Sequence, residues 1–215
     1  MSLFTAVICT AGVGATLYVE TNGLTLETIN TRPDTFGNYL TSSFAIVFNM
    51  SLLSAGFCLM LAMLGVYFTF NDSLNRYIAV TGAIVGLSIL LMGVFPINFI
   101  DWHRKVSTLY MLSSFSLHLL CIPNFFRTKS TISKKVLALS TFGVLCTLSL
   151  MLQIDWSVLD FPPCAHADNS ICTVSLSMWL LTNVNILWCV SLCLDMRKHI
   201  KHQQSVIVQS SYANL

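Results

Sequence analysis

Charge is what this sequence has least of. Of 215 residues only 9% are Asp, Glu, Lys or Arg, whereas a soluble domain carries about 25%. Nine per cent is too little to coat a globule of this size, which excludes an ordinary water-soluble fold. The few charges avoid six apolar blocks at residues 1–19, 44–70, 78–97, 106–126, 136–154 and 173–194. Each block is near or above the roughly 18–20 residues a helix needs to cross ~30 Å of hydrocarbon at 1.5 Å per residue. Alternating segments of about 10 residues, which a membrane barrel requires, do not occur. The fold expected is all-α: a polytopic six-helix bundle in one domain, with a short tail over 201–215.

Other absences narrow the function. No G-x-S-x-G, H-E-x-x-H, Walker loop or C-x-x-C is present, so none of the familiar hydrolase, metalloprotease, nucleotide or redox signatures supplies a reaction. No cofactor is expected. No Asp or Glu falls within an apolar block, which argues against a proton-coupled pump, because such proteins carry intramembrane carboxylates. The start, "MSLF", lacks the basic n-region of a secretory signal, so the first block reads as a retained helix.

The bases that are present set an orientation. "DWSVLDFPPCAHADNSIC", between the fifth and sixth blocks, has three aspartates and no Lys or Arg. "RTKSTISKK", between the fourth and fifth, has four bases and no acid, and "RKHIKH" after the sixth adds three. Cytoplasmic loops retain Lys and Arg, so these basic segments and both termini are expected inside. The outer loops then hold Arg32, Arg104 and Lys105 against eight inner bases. The net charge of +2 is a membrane-flanking fringe and predicts no nucleic-acid partner. The sequons "NMS" and "NDS" fall in a helix and in a cytoplasmic loop, in keeping with a bacterial plasma (inner) membrane.

Six of the eight cysteines lie in apolar blocks, where a thiol behaves as a small hydrophobe. The other two, Cys164 and Cys172, share the last outer loop. On an oxidising side they pair, contributing about 2.5 kcal/mol by loop-closure entropy; the alternative is two free thiols. The first outer loop, "ETNGLTLETINTRPDTFGNYLTSS", has the Gly, Pro, Asn and Thr punctuation of a structured cap.

Polar residues inside the blocks mark inward faces, because they are costly against lipid. Asn49 and Gly56 share a stripe on the second predicted span. Gly82, Gly86 and Gly93 on the third have the spacing that lets helix backbones approach. Ser107, Ser114 and Cys121, with Tyr110 and His118, form a weakly polar stripe on the fourth. Counting 1.5 Å per residue puts His118 roughly 20 Å deep, and Asn183 and Asn185 of the last span about 15–18 Å deep. These three are expected to meet, either as a neutral histidine hydrogen-bonded to asparagine or as a proton- or ligand-handling site.

The stretch "GVFPINFIDWHRK", residues 93–105, concentrates the outer chemistry. Pro96 ends or kinks the third span, and Trp102 suits a headgroup boundary. Asp101, His103 and Arg104 then lie at headgroup level, with Asp160, His166 and Asp168 in reach from the last outer loop. An interfacial anchor is one reading; an acid–base pair or a zinc site is the other. The D-x-H spacing by itself predicts no metal.

Two segments, "IVFNMSLLSAGFCLMLAM" and "GLSILLMGVFPINFIDWHRKVSTLYMLSSF", resemble the bacterial six-helix membrane family catalogued as domain of unknown function 998. The likeness rests on Phe48, Asn49, Leu52 and Gly56, then Gly93, Phe95, Pro96 and His103. More distantly the chain is similar to Frag/DRAM/Sfk-type membrane proteins, whose members are linked to lipid remodelling and autophagy. The resemblance implies a six-helix bundle and a lipid connection, and it supplies no reaction. The function expected is a multi-pass membrane protein that binds a membrane lipid, or another membrane protein, through Asn49, Asp101, His103 and Arg104. The alternatives are a membrane-embedded lipid-modifying enzyme with an Asp/His site and a structural or assembly subunit.

Overall fold

The computed structural model describes residues 29–127, 132–164 and 171–213, together with helical positions 7, 11, 14 and 18 of the first apolar block. The rest of that block, and with it the first of the six predicted spans, lies outside the described residues. Those described form a one-turn 3-10 helix, Pro33–Gly37, and five long helices: α1 Ala45–Thr69, α2 Ser73–Val94, α3 Ile100–Phe125, α4 Lys134–Gln153 and α5 Thr173–Ala213. All five are long and apolar enough to cross a membrane, α5 over Thr173–Lys201. The chain is therefore an all-α, multi-pass membrane protein. The only strand-like feature among the described residues is a single bridge between Asp155 and Asp160.

The helix ends carry their own instructions. Asp72 accepts from the Asn75 amide to cap α2 and pairs with Arg127 at the end of α3. Ser133 caps α4, and its own amide donates to Asp195 Oδ2 at 3.1 Å, fixing the α3–α4 connection to α5. Two boundaries differ from the sequence expectation. Helix α3 begins at Ile100 rather than near 106, so Asp101–Lys105 belong to its first turns. Helix α5 runs to Ala213, through most of the segment 201–215 expected to be a short tail. The reason is common to both: an apolar run measures hydrocarbon thickness, whereas helix continues while residues keep favourable propensity. Asp101 also suits a helix N-terminus electrostatically.

Each helix packs mainly on its neighbours in sequence, so successive helices run antiparallel. Between α1 and α2 the backbones touch. A Cβ at Gly56 would stand 2.4 Å from the Leu90 nitrogen and 2.5 Å from the Gly86 oxygen, and one at Gly93 2.7 Å from the Asn49 oxygen. The core, including Leu59, Met63, Ile78, Val85, Leu117 and Trp188, is joined by a hydrogen bond from Asn124 to Asn75 of 2.8 Å. Among the described residues helices α1 and α5 touch only lightly, and the first outer loop folds over the space between them.

Candidate functional site

The loop before α1 closes one end of the bundle because its polar backbone finds partners there. Ser175 Oγ donates toward the Ile29 and Thr31 carbonyls at 2.7 Å, and Trp179 Nε1 donates to Thr31 O at 3.0 Å. The Phe36 ring packs between Phe48 and Trp179. Asn49 Nδ2 donates to Gly37 O at 3.0 Å. Residue 37 must be glycine for this approach, since a Cβ would lie 2.7 Å from Asn49 Oδ1. Farther along, Asn98 accepts from the Tyr39 amide and donates to Asn38, tying the loop to the α2–α3 turn.

This cap carries a charged chain. Arg32 engages both oxygens of Asp34 (3.2 and 2.6 Å) and reaches Asp160 Oδ1 at 3.3 Å. Arg104, on α3, donates twice to Asp160 Oδ2, at 2.9 and 2.7 Å. Leu159, beside Asp160, holds φ 54°, a left-handed conformation uncommon for a branched residue. His103 is buried; its Nδ1 lies 2.9 Å from the Phe95 carbonyl. Its Nε2 makes no hydrogen bond, although Asp34 Oδ2 stands 3.5 Å away.

Burial pushes the Asp34 carboxyl up, but contact with His103 and the charge and hydrogen bonds of Arg32 outweigh it, leaving Asp34 below its ordinary value. At Asp160 burial is likewise outweighed by Arg104, the Phe161 amide and the Arg32 charge. Both carboxylates are thus held ionised. The arrangement is not a Ser-His-Asp relay, in which the carboxylate takes Nδ1–H and Nε2 faces the nucleophile. Here a carbonyl occupies Nδ1 and the carboxylate faces Nε2.

Beneath the cap lies a cavity of about 170 Å³, in the gap between α1 and α5. Its walls are mostly apolar, with Leu52 and Leu59 of α1, Met111 of α3 and Met178 and Ile186 of α5. Polar groups enter at the cap, from Asp34, Asn49 and His103, and deeper in the bundle, from Tyr110 and Asn185. An apolar pocket with a few placed polar groups is the usual form of a small-molecule site.

Of the residues the sequence singled out, Asn49, His103 and Asn185 line the cavity. Asn49 fixes the first loop rather than the segment bearing His103. Arg104 is paired with Asp160 across the cap. Asp101 is exposed on α3, because residues two apart on a helix point to different sides; the carboxylate beside His103 is Asp34. The same geometry separates the two asparagines of α5. Asn185 Oδ1 accepts from His118 Nε2 at 3.1 Å, while its Nδ2 donates to Tyr110 at 2.7 Å and toward Ser114 at 3.3 Å. Asn183 is exposed and bonds only its own helix, at Trp179 O. His118 is fully buried, and its Nδ1 lacks a hydrogen-bond partner. Cys164 and Cys172 form a disulfide, with Cα atoms 5.5 Å apart; His166 and Asp168 fall outside the described residues.

Arg32 and Asp34 were not singled out by the sequence. Their available signal was two opposite charges flanking Pro33 in a chain with few charges. Among the described residues no three His, Cys, Asp or Glu side chains gather to hold a metal ion. No family model, curated protein or solved structure matches the chain.

Proposed function

We propose that this chain is a six-helix plasma-membrane protein that holds a lipid in the cavity between α1 and α5, beneath the charged cap. The observation that carries the reading is the cavity itself. Its wall is mostly apolar, with polar groups gathered at the capped end and a second polar pair, Tyr110 and Asn185, deeper in, so it suits an amphiphile. Phe48, Asn49, Leu52, Pro96 and His103, which carry the resemblance to domain of unknown function 998, all line it. Gly56 and Gly93 of the same motifs set the close α1–α2 approach that forms one wall. The cap faces away from the cytoplasm on this reading, because the opposite end bears Arg127, Lys134, Lys135, Arg197 and Lys198 and cytoplasmic ends retain such bases. An oxidising exterior also suits the disulfide.

Native mass spectrometry of the gently purified chain tests the proposal. A retained lipid mass that disappears in Leu52→Trp, which fills the cavity, is the expected result. Protein that flies without lipid, or lipid retained equally by Leu52→Trp, refutes it.

A further inference from the structure

The polar end of the cavity has a surplus of one kind of group. His103 Nδ1 is directed at the Phe95 carbonyl, which can only accept. The nitrogen therefore carries the hydrogen, and in the neutral tautomer this fixes, Nε2 presents the lone pair. That atom is buried without a hydrogen bond, and the nearest charged atom is Asp34 Oδ2, another acceptor, at 3.5 Å. Asn49 Oδ1, on the same cavity wall, is also buried and without a partner. Its assignment as the oxygen is fixed by the Nδ2 bond to Gly37 O. Two acceptors, His103 Nε2 and Asn49 Oδ1, thus meet an apolar space with no donor offered to them among the described residues, while Asp34 Oδ2 beside them is already engaged by Arg32. Buried acceptors left unmade are costly, and native proteins pair nearly all of them.

Charge narrows the occupant further. The cap's two arginines are engaged with its two carboxylates, Asp34 and Asp160. No cation among them is left for a phosphate or a fatty-acid carboxylate, and an anion would face Asp34 directly. An ammonium head would have to shed its water beside two guanidiniums in a cap whose charges cancel. A neutral hydroxyl meets neither obstacle: it donates one hydrogen bond and carries no charge to desolvate.

Resting on the lipid-cavity reading above, we infer that the cavity selects a neutral, hydroxyl-headed lipid. This is the class of long-chain alcohols, sterols and diglycerides, with the hydroxyl donating to His103 Nε2.

The test compares two probes with one tail: radiolabelled oleyl alcohol and oleate, binding to the purified full chain in detergent at neutral pH. Leu52→Trp serves as the background for micelle partitioning. The alcohol should bind about tenfold more tightly, the worth of one hydrogen bond made against one left unmade. His103→Leu should remove the preference, and His103→Gln, which retains an acceptor, should keep it. Equal binding of both probes, abolished by Leu52→Trp, would leave the lipid cavity standing and overturn the head preference; so would tighter binding of oleate. Binding of neither probe above the Leu52→Trp background would overturn the cavity reading, and this inference with it. The probe comparison is made on the unaltered protein, so it decides the matter even where a His103 variant fails to fold.

Discussion

Replacing Gly56 by alanine adds one methyl group where two backbones touch. That Cβ would lie 2.4 Å from the Leu90 nitrogen, 2.5 Å from the Gly86 oxygen and 2.8 Å from the Leu90 Cα. These are backbone atoms, so no rotamer change relieves the clash. The helices must part by about 1 Å to restore van der Waals contact, and a gap of that size forfeits a quarter to a half of each dispersion well along the seam. Overpacking of this kind costs about 1–3 kcal/mol. Alanine also favours helix over glycine by about 1 kcal/mol, which offsets part of the loss. Gly65→Ala on the same helix supplies the control, because nothing lies within 4 Å of its added Cβ. The propensity gain is common to both variants, so their difference isolates the packing. Gly56→Ala should be about 2 kcal/mol less stable than Gly65→Ala, read by reversible SDS titration in mixed micelles. Equal stabilities would refute the backbone contact between α1 and α2, and with it one wall of the cavity.

Acid should loosen the cap. Asp34 and Asp160 sit below the ordinary carboxylate value of 3.8, so the unfolded cap binds protons before the folded one. The stability they contribute is fully present above that value and is lost as pH falls through the lower, folded one. Trp179 emission, obtained by difference with Trp179→Phe, should hold steady down to about pH 5 and shift red only in stronger acid; a transition near neutrality would assign the cap's integrity to a histidine instead. At the deep polar site, Gly143→Ala should expel the His118 ring, because an added Cβ would lie 2.3 Å from His118 Cδ2 and 2.4 Å from Nε2. Loss of the His118–Asn185 bond and of the local packing should destabilise by about 2–3 kcal/mol, with unfolding midpoints as the check. A neutral Gly143→Ala would contradict that placement.

The helices were legible because hydrocarbon imposes a length and forbids charge, and both leave plain marks on a sequence. The inward faces were nearly as legible: Asn49, Gly56, Ser114, His118 and Cys121 are all buried, since lipid punishes their exposure. The ends were harder. Apolarity stops at the edge of the hydrocarbon while helix does not, so Asp101–Lys105 were read as a loop and the continuation of α5 as a tail. Missing the helical turn at Asp101 then misdirected the search for the partner of His103. That partner, Asp34, lies 69 positions earlier in an irregular loop, and such a pairing has no period to betray it. Asp160 was noticed as lying in reach of this stretch, but its bonds to Arg104 and Arg32 come from loop geometry that no local pattern encodes. Asn183 and Asn185 show the same limit on a small scale: depth placed them together, whereas helical phase sends one to lipid and the other to His118.

Photolabelling with a lipid that carries a diazirine midway along its acyl chain tests the central claim most directly. Cavity occupancy predicts saturable labelling of Leu52, Met111 or Met178, competed by excess unlabelled lipid and abolished by Leu52→Trp. Labelling confined to the exposed residues Phe57, Leu64 and Leu119, without saturation, would reveal only the surrounding bilayer and contradict the account.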